Sequence, residues 1–142
     1  MIKYVNINPK LGKLQEYVGY LKEYREEPIK RLKTDHTLQG AVLRYLQLAI
    51  ECVLDIGEIL ISALRLSKPQ EAREVIKILA ENGIIPTAFA ERFAPIANFR
   101  NILVHEYAEI DLDKVYNHLQ KDLEDFDFYA KKVSQYLQSK AA

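Results

Sequence analysis

The sequence has one cysteine, no net charge, and only five glycines and five prolines in 142 residues. Each scarcity removes a class of protein. One cysteine cannot form an internal disulfide framework, and no cysteine–histidine spacing suits zinc. Cys52 lies in an apolar run, where a buried small hydrophobe is the expectation. Twenty lysines and arginines balance twenty aspartates and glutamates. Such a chain has no global field to draw in nucleic acid, so any RNA contact must be a local basic cleft. No apolar run approaches membrane-spanning length, and Met1-Ile2-Lys3-Tyr4-Val5-Asn6-Ile7 has no apolar signal core. A cytoplasmic protein without membrane contact is expected. With no repeat or low-complexity linker, residues 1–142 read as one domain with a short arm at 1–8.

What is present is helical periodicity. Apolar residues make up 49% of the chain and charged residues 28%, which suits one globular core. Asn8-Pro9 reads as a capping amide followed by proline at a helix start. Leu11, Leu14, Val18 and Leu21 then recur at helical spacing, widened by Tyr17 and Tyr24, up to Pro28. Lys30, Arg31 and Lys33 form a basic connector. Asp35 is a cap for a long, central helix over about 36–66. Gln47, Glu51, Asp55 and Glu58 make one polar stripe on it. That stripe is either a solvated face or a set of carboxylates, Glu51 or Asp55, facing a cleft and holding a cation such as Arg100.

A third helix is predicted from Glu71 to Asn82, stopped by Gly83. A helical turn follows at 88–93, and Ala94-Pro95 restarts a fourth helix. Asp111 and Asp113 cap a last helix over about 113–138. Val115, Leu119, Leu123, Phe126, Ala130, Val133 and Leu137 form its inner face. Its acidic run, Asp122 to Asp127, is splayed by helical spacing and reads as solvated rather than as a metal site. No strand is evident. The fold class is all-α, an up-and-down bundle of four to five helices.

One stretch concentrates chemistry: Arg100-Asn101-Ile102-Leu103-Val104-His105-Glu106-Tyr107. Arginine binds two phosphate oxygens at once and keeps its charge. Histidine exchanges a proton near neutral pH. Together they suffice for metal-independent cleavage of RNA, with the 2′-hydroxyl as nucleophile. The frame is expected to bury Ile102, Leu103 and Val104 and to present the polar groups. Five residues on a helix are about 140° and about 7.5 Å of rise apart. Arg100 and His105 therefore meet only if the helix ends, if the arginine sweeps round, or if a two-fold axis joins two copies. Ordinary roles stand beside these: a surface ion pair for Arg100, a helix-dipole contact for His105, a half-buried core position for Tyr107. His105-Glu106 does not continue as a zinc-protease motif, since Glu109 stands where the second histidine is needed.

These residues resemble the HEPN superfamily, and Arg100, His105 and Tyr107 match the arginine–four–histidine–one–tyrosine form of the HepT toxins. Tyr45 to Ile56 is similar to that family's second helix, and Phe99 to Tyr107, then Asp111 to Tyr116, to the end of its fourth and the start of its fifth. The resemblance implies a homodimeric endoribonuclease toxin needing no cofactor, with Arg100 and His105 catalytic in a cleft on the dimer axis. Asn101 would be a supporting polar residue, as would Glu51 and Asp55 on the second helix. The implied partner is an MntA-type nucleotidyltransferase antitoxin that transfers AMP to Tyr107; the implied substrate is RNA, either tRNA or mRNA. Some members of the superfamily are not nucleases. For them the implication is a non-catalytic module presenting nucleotide or substrate to the nucleotidyltransferase.

Overall fold

A computed structural model describes residues 7–105 and 110–141. Among these there are eight helices and no strand. They are α1 (Ile7–Tyr24), α2 (Ile29–Thr34), α3 (His36–Ala63), α4 (Ala72–Glu81), α5 (Thr87–Phe93), α6 (Pro95–His105), α7 (Leu112–Lys121) and α8 (Leu123–Ala141). The all-α bundle is as expected, but more finely divided. Of the anticipated arm, residues 1–6 lie outside the described residues. Ile7 and Asn8 are already helical, because Ile7 is fully buried and its side chain is part of the core.

α3 is the axis. It touches α1, α2, α4, α6 and α8, which explains why its apolar positions cover more than one narrow stripe. Asp35 starts it by accepting from the Leu38 amide at 3.1 Å, which satisfies one of the orphan donors of the first turn. It ends at Ala63, earlier than the periodicity suggests. Arg65 there adopts a left-handed φ of 56°, and the Leu66 amide returns to the Ile61 carbonyl at 2.9 Å. That stop is normally marked by glycine; an arginine conceals it. α1 lies against α3 on the other side of the core, and Tyr45 packs among Tyr17, Tyr20 and Tyr24 at ring distances of 5.9, 4.9 and 6.3 Å.

α4 packs against α3 at Gly57. A β-carbon there would sit 2.3 Å from Val75 Cγ1, so only glycine permits the contact. Beside it, fully buried Tyr129 of α8 donates its hydroxyl to the Val53 carbonyl at 2.8 Å. This satisfies the one polar atom of a large core side chain.

Two regions differ from the sequence reading. The basic connector is the short helix α2, anchored by buried Leu32. Two of its three cations are engaged: Arg31 with Asp35 at 2.7 Å and Lys33 with Asp113 at 3.1 Å. The single last helix is broken at Asp122 into α7 and α8. The Asp122 amide still reaches the His118 carbonyl, but the Asp125 amide turns back to Asp122 at 3.0 Å. Leu119 and Leu123 are buried on either side, so hydrophobic spacing runs through the break. α7 packs on α2 and α8 on α1, and two partners impose two axes. The acidic run is also not simply solvated. Glu124 pairs with Arg25 at 2.7 Å, Asp125 with Arg92 at 3.2 Å, and Asp127 with Lys22. The three pairs pin the start of α8 to α1 and α5.

Candidate functional site

The site residues sit on α6. Pro95 occupies its first position, where a missing amide hydrogen costs nothing. Ile96, Ala97, Phe99 and Leu103 are buried and hold the helix against α3, α4 and α5. Arg100 is four residues after Ile96 and three before Leu103, so it lies along the edge of that buried face. It is half-buried, and its Nε is fully enclosed without a hydrogen-bond partner. Buried donors are nearly always satisfied, and an unsatisfied one costs about 1–3 kcal/mol. Asn101 and His105 are exposed.

The expected burial of three aliphatic residues holds for one. Leu103 is buried and Ile102 half-buried, while Val104 is 38% exposed, an unusual position for a large aliphatic side chain here. Consecutive residues on a helix point about 100° apart, so one α6 face cannot take all three inward. The same geometry governs the polar groups. Arg100 and His105 belong to one continuous helix, which sets them about 140° apart. One chain thus does not bring them side by side. Tyr107 and Glu106 lie outside the described residues.

The α3 carboxylates do not serve Arg100 within the chain. Asp55 faces α1 and pairs with Lys10 at 3.4 Å; Glu51 accepts from Gln47 at 3.2 Å. The stripe follows the helix, but its members turn to different neighbours. Nor does Arg100 or His105 line the groove of about 710 Å³ between α4 and α5, whose floor includes Ala80, Ala90 and Ala94. Sequence reasoning also passed over His118. Its ring packs on Phe99, the residue before Arg100, at 4.5 Å between centroids, and its Nδ1 lies 2.5 Å from Asp122 Oδ2. The four-residue spacing of His118 and Asp122 is the signal that could have found the pair.

Known proteins resemble this chain. Residues 14–133 match the family model described as HepT-like, ribonuclease HepT-like. The mRNA nuclease HepT of Shewanella oneidensis is 35% identical over 97 residues, covering 68% of this chain and 73% of that protein. The tRNA nuclease HepT of Aphanizomenon flos-aquae is 27% identical over 136 residues, covering 96% and 92%. Among solved structures, the tri-AMPylated HEPN toxin of Shewanella oneidensis in complex with MNT antitoxin superposes with a TM-score of 0.83. It is 28% identical and covers 91% of this chain and 96% of that one.

Proposed function

The chain belongs to the HepT-like ribonuclease family, and from that premise we propose that it is the toxin of a toxin–antitoxin pair, acting as a metal-independent endoribonuclease. The observation that carries the reading is Arg100 on α6, with an enclosed, unpartnered Nε, five residues before an exposed His105. Arg100 is in no ion pair among the described residues, so the outer nitrogens of this half-buried side chain have unused capacity for a phosphate oxygen.

In this reading His105 removes the proton of a 2′-hydroxyl. The 2′-oxygen attacks the adjacent phosphorus, the bond to the 5′-oxygen breaks, and that oxygen leaves with a proton returned by an imidazolium. The products are a 2′,3′-cyclic phosphate and a 5′-hydroxyl. Arg100 holds the phosphoryl oxygens as charge builds on them, an effect worth about 10²–10³ in rate for one well-placed donor. Exposed Asn101 adds a further donor. Because one helix separates Arg100 from His105, the working site combines two copies about a two-fold axis. Val104, beside His105, supplies apolar surface for that contact. Glu51 and Asp55 act only as supporting polar groups, since each already has a partner.

The off-switch is Tyr107. An MNT-type antitoxin would transfer AMP from ATP to its phenol and release pyrophosphate. The tri-AMPylated relative supports this. The added phosphates place negative charge two residues from His105 and draw on Arg100. Relatives named for mRNA and for tRNA support RNA as the substrate class.

Expression of the chain without antitoxin should arrest growth and fragment cellular RNA in the presence of EDTA, and His105→Ala should relieve both. Incubation with antitoxin and ATP should add whole AMP units to the wild type and none to Tyr107→Phe. Harmless expression with intact RNA refutes the nuclease reading; unchanged mass with active antitoxin refutes the switch.

A further inference from the structure

α7 has two flanks of opposite character. One is held to α2 and the turn before it: the Tyr116 hydroxyl donates to the Glu27 carbonyl at 3.1 Å and Gln120 to the Arg25 carbonyl at 2.9 Å. Asp113 pairs with Lys33 there. The other flank carries Lys114, Asn117 and Lys121, all exposed. They recur at intervals of three and four residues and therefore share one face. His118 lies between this face and the core, and its ring rests on Phe99, next to Arg100. The flank is thus turned towards α6.

The acids of α7 and its ends fall off that flank by helical spacing. The acids of the helix and its ends each have other work. Asp111 accepts from the Asp113 and Lys114 amides as the cap, Asp113 is held by Lys33, and Asp122 by His118. Among the described residues Lys114 and Lys121 have no carboxylate partner, as is also true of exposed Lys30, Lys77 and Lys131, whereas Lys10, Lys22, Arg25, Lys33 and Arg92 pair across the bundle. In a chain with zero net charge, two lysines about 10.5 Å apart along a helix, on the side of α7 nearest the arginine helix, give that flank a local positive charge.

We propose that the Lys114–Asn117–Lys121 flank of α7 binds the phosphodiester backbone of single-stranded RNA leading into the Arg100 region. Lysine supplies point charge and Asn117 a neutral donor, so the track reads backbone rather than sequence. It sets affinity, while chemistry stays with α6. The proposal rests on the nuclease reading above.

The test uses the full chain and a 2′-O-methyl oligoribonucleotide, which lacks the nucleophile and cannot be cut. Each phosphate contact to a single strand contributes about 0.7 to the slope of log affinity against log salt. Lys114→Gln/Lys121→Gln should therefore flatten that slope by about 1.4. Between 50 and 200 mM salt the wild type then loses about sevenfold more affinity than the double variant. With cleavable RNA the loss should fall on KM. Removing two exposed charges elsewhere, Arg73→Gln/Lys77→Gln on α4, should leave the slope in place. An unchanged slope in a wild type that does cut RNA overturns the track and leaves the nuclease intact. An equal flattening in the α4 control overturns it too, as does an unchanged slope joined to weakened antitoxin binding, which would make the flank a protein contact. A wild type that neither binds nor cuts RNA removes both readings together.

Discussion

Arg100 offers a test in which stability and activity should move in opposite directions. Its Nε is enclosed and unpartnered, while the residue as a whole is only half-buried. Arg100→Met keeps a long apolar stem along the α6 edge and deletes the donor. The penalty for an unsatisfied buried donor is about 1–3 kcal/mol. The outer guanidinium remains hydrated in the wild type, so the lower end applies, about 1 kcal/mol. Methionine's near-equal volume costs little. The variant should gain about 1 kcal/mol, which raises Tm by about 2–4 °C in a domain of this size. Cleavage should fall about 10²–10³-fold, the usual loss of a transition-state donor. Urea unfolding at fixed protein concentration, with the slope held constant, reads the first quantity; a fluorogenic RNA reads the second. A variant more than about 1 kcal/mol less stable than wild type would show that the Nε has a structural partner after all. Retained cleavage would remove Arg100 from the site.

Three further outcomes follow from the packing and the thiol. Gly57→Ala should destabilise by about 1–3 kcal/mol, since its β-carbon would meet Val75 Cγ1 at 2.3 Å; Gly12→Ala, where nothing lies within 4 Å, should stabilise, by thermal melts on both. Tyr129→Phe should cost about 1 kcal/mol through the lost bond to Val53, without altering cleavage per folded molecule. Burial pushes the Cys52 thiol up to about 11 from 9.0, against a smaller opposing pull from Lys10. A raised value means less thiolate at neutral pH, so alkylation by iodoacetamide should run about 100-fold slower than in the urea-unfolded chain and rise about tenfold per pH unit towards 11; equal rates would refute the burial argument.

Much of the fold was legible along the chain. Periodicity located the core faces of α1, α3 and α4, and Asp35 and Gly83 marked ends because a cap and a left-handed turn are local demands. Where the signal was not local, the reading slipped. The end of α3 was hidden by an arginine in a glycine conformation. The break at Asp122 was hidden because buried residues keep their spacing across it. Paired acids on α8 looked solvated because their partners are distant in sequence, 33 residues for Asp125 and about a hundred for Glu124 and Asp127.

The candidate site divides in the same way. Residue types and spacing along one helix settle that an arginine, an amide and an imidazole share α6, and that Arg100 and His105 diverge; these follow from 3.6 residues per turn. Whether a given group has a partner does not follow from spacing. Only tertiary packing turned Asp55 to Lys10, left Arg100 Nε enclosed, exposed Val104 and brought His118 onto Phe99. Periodicity specifies direction around one axis, whereas partnership depends on where a second axis lies, and that is decided by the whole core.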